Sequence, residues 1–176
     1  MSNNTLFTPF KNKGLSLTNR IVMAPMTRQF SPNGVPTSDV AGYYRRRAEG
    51  GTGLIITEGT TVNDNVATMG ATIPRFHGED ALAGWKQVVD EVHNAGGKIM
   101  PQIWHVGMAR VAENAPFPDL PSAGPSGLFK PGKQGAEPMT LAHIESVIEA
   151  FAEAAADAQR IGMDGVEIHG AHGYLV

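Results

Sequence analysis

Residues 24–36 read APMTRQFSPNGVP, and they follow a short apolar run, residues 20–24 (RIVMA), with the length and composition of a buried strand. A doubly wound nucleotide-binding fold places a G-x-G-x-x-G turn directly after its first strand. No such fingerprint stands here. Three further runs of the same kind occur at residues 53–57 (GLIIT), 98–103 (KIMPQI) and 165–169 (GVEIH). The segments between them carry helical spacing. Residues 37–48 open on Thr37 or Ser38 as a cap and place Val40, Tyr43, Tyr44 and Arg47 behind it. Residues 80–94 set Leu82, Trp85, Val88, Val89 and Val92 at steps of three and four, with Gly96 and Gly97 as the stop. The third helix starts at Thr140 as N-cap, runs a stripe of Ile144, Val147, Ile148, Phe151, Ala155, Ala158 and Ile161, and ends at Gly162.

Strands alternating with helices demand a parallel sheet, because each parallel pair needs a crossover. With the dinucleotide fingerprint missing, the α/β architecture that fits is the (β/α)8 barrel. A complete barrel takes about 250 residues and eight strands. The 176 residues hold four. The fold expected is therefore the N-terminal half of a TIM barrel, strands 1–4, with residues 1–176 forming part of one domain.

Composition narrows the chemistry. The chain is 41% hydrophobic and 18% charged, ordinary values for a chain with a real core. A net charge of -3 without a basic block argues against nucleic acid as a partner. No apolar run reaches the roughly 18 residues of a membrane span, and MSNNTLFTPF lacks the features of a signal peptide. With no cysteine present, disulfides, thiolate metal sites and cysteine nucleophiles are excluded, and a cytoplasmic location is expected.

Barrel chemistry gathers on the loops after the C-terminal ends of the strands. Each of those junctions is marked here: Pro25, Met26, Thr27 and Arg28 after the first strand, Glu58, Gly59 and Thr60 after the second, Gln102, Trp104 and His105 at the third, and HGAHGY, residues 169–174, at the fourth. The opposite turns, HNAGGK and RIGMDG, carry no such cluster. Alternation along a strand sends residues two apart to one face, so His169 and His172 share an opening only if the strand ends between them. Gly170 and Gly173 permit that turn. His169 is then the last inward residue of the strand, and His172 and Tyr174 curl over the same mouth. Two imidazoles can donate to one carbonyl or anionic oxygen while a phenol delivers a proton. Read alone, the HxxH spacing also suits structural histidines, or a metal with His105 nearby, although no carboxylate completes an obvious ligand set. Glu58 and Glu167 are expected to meet a cationic or backbone partner inside the barrel. Residues 107–137 show little periodicity and many prolines, and a loop beyond about 12–15 residues suits a lid or binding loop, or else an exposed insertion.

Taken together, NRIVMAPMTR, GLIITEGT, PQIWHVG and EIHGAHGYL resemble the Old Yellow Enzyme family of FMN-dependent ene-reductases, in order and across the whole chain, but only over the first half of the family's barrel. The resemblance implies that Pro25, Met26 and Thr27 line the flavin ring with the Thr27 hydroxyl near its C4 carbonyl. By the same carry-over, Gly59 lets backbone approach the ring, Gln102 hydrogen-bonds its pyrimidine edge and Trp104 walls the substrate pocket. It further implies that His169 and His172 grip the substrate carbonyl and that Tyr174 is the proton donor. The implied reaction takes hydride from NADH or NADPH through FMN to the β-carbon of an activated alkene, an α,β-unsaturated carbonyl or nitro compound, with Tyr174 protonating the α-carbon. The family's FMN phosphate site and an arginine near the flavin belong to later strands, outside these 176 residues. An active oxidoreductase thus implies a partner, the complementary C-terminal half or a second copy of the chain. The alternative is a half-barrel that associates without catalysing anything.

Overall fold

Four parallel strands lie side by side in the order in which the chain makes them. The computed structural model describes residues 5–176 and contains β1 (Phe10–Asn12), β2 (Leu15–Leu17), β3 (Val22–Met23), α1 (Ser38–Glu49), β4 (Leu54–Thr61), α2 (Glu79–Asn94), β5 (Ile99–Trp104), β6 (Leu128–Lys130), β7 (Lys133–Gln134), α3 (Leu141–Ile161) and β8 (Glu167–Ile168). The main sheet has the order β3-β4-β5-β8, and every pairing in it is parallel. One core joins residues from all three helices, among them Tyr44, Trp85 and Ala158, to Ile55, Ile99 and Ile103 of the sheet. All helices therefore cover the same face, as in a barrel and unlike a doubly wound sheet. The fold is a curled half-barrel.

The other face of the sheet is closed at one end by a hairpin absent from the sequence reading. β1 pairs antiparallel with β2 through a two-residue turn at Lys13 and Gly14, with Lys13 at φ 48°. Leu17, Phe10 and Leu15 pack there on Leu54, Ile56 and Met100. Short alternating runs about a two-residue, glycine-containing turn were the available signal.

The strand and helix positions agree with the expectations to within a few residues, with one physical exception. β4 extends to Thr61, because a register shift between Ile56 and Gly59 carries it past Thr57. Ile56 pairs with Met100 and Gly59 with Gln102, so β4 spends three steps where β5 spends two. Such a bulge re-aims side chains beside a site. The third helix is capped as expected: the Thr140 hydroxyl accepts from the His143 N–H at 3.2 Å, and Gly162 at φ 91° turns the chain so that the Met163 N–H returns to the Ala158 carbonyl at 2.9 Å. Its buried stripe differs. Val147, Ala150, Ala154, Ala158 and Ile161 are buried, while Ile148 is 63% exposed. Small alanines let α3 sit close to the sheet, and Ile148 was assigned to that face on hydrophobicity alone.

Residues 107–139, read as one long loop, hold two 3-10 turns and the β6–β7 hairpin. Buried Arg110 organises them by donating to the carbonyls of Leu120, Pro116 and Phe117 at 2.7, 2.8 and 2.7 Å. Among the described residues no helix is long and apolar enough to cross a membrane.

Candidate active site

The last turn of the chain is folded back over β5. The ladder runs one residue beyond β8, with the His169 N–H donating to Ile103 at 3.0 Å. His172 (φ 60°) and Gly173 (φ 73°) then reverse the chain, and the Leu175 N–H donates to the His105 carbonyl at 3.2 Å. A left-handed conformation at a non-glycine residue costs on the order of 1 kcal/mol, a strain that concentrates at functional sites.

This reversal gathers four rings. Trp104 stacks on His169 with centroids 5.8 Å apart and an interplanar angle of 22°. Tyr174 stands edge-on to both, 4.8 Å from Trp104 and 4.9 Å from His169. His172 lies 5.4 Å from His169 and 6.4 Å from Tyr174. The His169 pKa is lowered, first by burial and then by the neighbouring His172, with Glu167 acting in the opposite sense. Around neutral pH this ring is a neutral imidazole with one N–H to donate.

Gln102 lies two residues before Trp104 on β5, pairs with Glu167 across the sheet, and donates its side-chain Nε2–H to Glu167 Oε1 at 2.8 Å. Glu167 thus meets a side-chain amide rather than the cation or backbone expected for it. Gly59 faces the Trp104 ring: a Cβ there would lie 2.6 Å from Cε3. That close approach is a reason for glycine that spacing did not offer. Pro25, Met26 and Thr27 follow β3 at the same end of the sheet, and Met26 is 49% exposed. Their loop is held from behind, because the backbone N–H of Arg28 donates to Glu58 Oε2 at 3.0 Å and its guanidinium to Oε1 at 2.7 Å. Glu58 is fully buried, and its own N–H donates to the Tyr44 hydroxyl at 2.9 Å. Burial and the adjacent Glu58 charge raise the Tyr44 pKa beyond its ordinary range, so the phenol stays protonated.

His105 is turned away from the ring cluster. It is buried, its Nδ1 accepts from the Gly107 N–H at 3.0 Å, and its Nε2 faces Asp64 Oδ1 at 3.5 Å. Both nitrogens thus face Gly107 and Asp64, and among the described residues no three histidine, aspartate or glutamate side chains gather as a metal-ligand set. Asp64, with His143 on its other oxygen at 2.7 Å, carried no sequence signal, since the pair is 79 residues apart.

An α/β half-barrel with its proton-carrying side chains on the C-terminal ends of adjacent strands defines the class. The profile of the NADH:flavin oxidoreductase / NADH oxidase family matches residues 5–176, and the chain belongs to that family. It is 38% identical to 12-oxophytodienoate reductase 1 of Oryza sativa subsp. japonica, over 97% of this chain and 46% of the relative. It is 35% identical to 12-oxophytodienoate reductase 2 of Arabidopsis thaliana, over 97% and 48%. Morphinone reductase, solved in complex with tetrahydroNAD, superposes with a TM-score of 0.88 at 34% identity, covering 98% of this chain and 51% of that one. The Old Yellow Enzyme homologue from Zymomonas mobilis gives 0.84 at 32%, covering 97% and 50%. The chain spans about half the length of the relatives it matches.

Proposed function

We propose that this chain supplies the substrate-activating half of an FMN-dependent ene-reductase. The observation that carries the reading is the cluster of Trp104, His169, His172 and Tyr174, in which two imidazoles and a phenol lie with ring centroids 4.9, 5.4 and 6.4 Å apart. The residues fit a planar heteroaromatic group beside that cluster: Met26 is exposed, Gln102 brings an amide, and Trp104 brings a buried Nε1 without a partner. Pro25, Met26, Thr27, Gly59 and Gln102 would hold the ring system of FMN. When bound, FMN supplies hydride taken from NADH or NADPH.

Everything else falls to the side chains. His169 and His172 each donate an N–H to the carbonyl or nitro oxygen of an activated alkene, stabilising charge as it develops on that oxygen. Trp104 walls the opposite side and fixes the plane of His169 by stacking. Tyr174 delivers its phenolic proton to the α-carbon while hydride arrives at the β-carbon. Residues 107–139 act as the loop at the mouth of this domain.

The barrel needs its remaining strands. β3 and β8 are the outer strands of the sheet, and they expose Val22 by 51% and Ile168 by 56%. We assign these edges to the complementary C-terminal half or to a second copy of the chain. If the edges join copies that carry no flavin, the alternative of an associating, non-catalytic half-barrel holds.

The test is absorbance after incubation with FMN and gel filtration, followed by NADH or NADPH and then an enone. Retained flavin bleached by the nucleotide and reoxidised by the enone supports the reading. A Tyr174→Phe variant should keep the bleaching and lose about 10²–10⁴-fold of the enone step. Protein that stays colourless in every assembled form sinks it.

A further inference from the structure

Glu167 accepts a hydrogen bond from the Gln102 side chain beside the ring cluster. The two residues are register partners on β5 and β8, and Gln102 Nε2 lies 2.8 Å from Glu167 Oε1. An ionised carboxylate can only accept, so the amide has to turn its NH2 toward Glu167 and its carbonyl oxygen away. Gln102 has little room to do otherwise: it is 8% exposed, and its own backbone N–H is tied to the Thr57 hydroxyl at 3.2 Å. Glu167 also stands two residues before His169, so both leave the strand on the same face, and Gln102 precedes Trp104 on the neighbouring strand by the same step. Gln102, Glu167, Trp104 and His169 thus share one face of the sheet, and the amide oxygen is left free of Glu167 on that face.

We infer that Glu167 is a positioning residue that locks the Gln102 amide with its oxygen toward the ligand, so that the site reads an N–H donor on the bound ring. This rests on the flavin reading above. The pyrimidine edge of an isoalloxazine carries one N–H, at N3, between two carbonyls. An amide free to flip meets that edge equally well with its NH2 on a carbonyl; an amide locked by Glu167 accepts from N3–H. Glu167→Gln keeps the shape and removes the lock, because a glutamine there can donate as well as accept.

Fluorescence titration of the assembled protein with FMN and with 3-methyl-FMN, which has no N3–H, reads this directly. Wild type should prefer FMN by about five- to tenfold, the worth of one hydrogen bond in a desolvated site. In Glu167→Gln the ratio should fall toward one, while FMN itself still binds within several-fold of wild type, which also shows that the variant is folded. Gln102→Ala should remove the preference as well. A preference that persists unchanged in Glu167→Gln overturns the role of Glu167 and leaves the flavin site standing. Equal affinity of wild type for the two flavins does the same. Binding of neither flavin by wild type overturns both.

Discussion

His143, in the first turn of α3, places its Nε2 at 2.7 Å from Oδ2 of Asp64, in the loop after β4. The other oxygen of the same carboxylate accepts from the Val66 N–H at 2.8 Å and faces His105 at 3.5 Å. One side chain thus ties together the loops after two adjacent strands and the start of the helix that leads to His169. Burial works to raise the Asp64 carboxyl, but the contacts with His105, Val66 and His143 outweigh it and hold the carboxyl well below the ordinary range. A depressed carboxyl contributes stability that is fully present above the unfolded value of about 3.9 and is lost as pH falls through the folded value. Asp64→Asn should therefore cost about 1–2 kcal/mol at pH 7 and progressively less below pH 4, read from urea midpoints across that range. A constant difference at all pH values would show that the charge of Asp64 is not what matters.

The Glu58 carboxylate offers a second expectation. Outside the strand ladder, the hydrogen bonds that residues 24–30 make among the described residues are the two from Arg28 to Glu58. The Arg28 guanidinium also lies 3.6 Å from the Tyr43 ring centroid. Glu58→Ala removes both acceptors and leaves a largely buried cation unpaired, a change worth about 3–5 kcal/mol. Glu58→Gln keeps one acceptor and should cost less. Hydrogen exchange at residues 26–29 should accelerate in both, more in Ala. Unchanged exchange in Glu58→Ala would mean that the loop is held by something other than this latch.

These two carboxylates mark the limit of what was legible in the chain. Repeated apolar runs separated by 3.6-period segments reveal strands, helices and barrel class, because periodicity reports which face is buried. The ring cluster was legible for a similarly local reason, since His169, His172 and Tyr174 lie within six residues. The bulge in β4 was not legible, because an extra residue breaks the two-residue period that would announce it. Asp64 with His143 and Arg110 with its three carbonyls were equally hidden: such partners meet only after the loops are folded. Ile148 failed in the opposite way, since hydrophobicity marked it for burial and helix packing chose alanines instead.

Gly59→Ala tests the packing beneath the ring cluster. The added Cβ would come within 2.6 Å of Trp104 Cε3, and Trp104 is 3% exposed with little room to retreat. The ring has to shift, and with it the His169 that stacks on it. The expected cost is about 1–3 kcal/mol by denaturation, accompanied by a changed near-UV signal from Trp104. Full stability with an unaltered spectrum would place the Trp104 ring elsewhere in solution.

The charge environment of His169 can be read one neighbour at a time. Burial lowers its pKa, His172 lowers it further and Glu167 raises it. The His172 ring is 5.4 Å away, near enough for two imidazolium charges to repel. Removing that charge in His172→Ala should let the His169 pKa rise back toward 6.5, whereas Glu167→Gln should push it lower still. Both shifts are measurable from the imidazole carbon-bound protons by NMR titration. The direction matters for the proposed reaction, because a neutral His169 donates one N–H to a substrate oxygen and keeps its other nitrogen unprotonated. Substrate binding that relies on the neutral form should hold down to the lowered pKa and change as pH falls through it, and His172→Ala should move that change to higher pH. If the His169 pKa drops in His172→Ala, then His172 does not repel a charge on His169, and the two rings do not face one substrate oxygen as a pair of neighbouring donors.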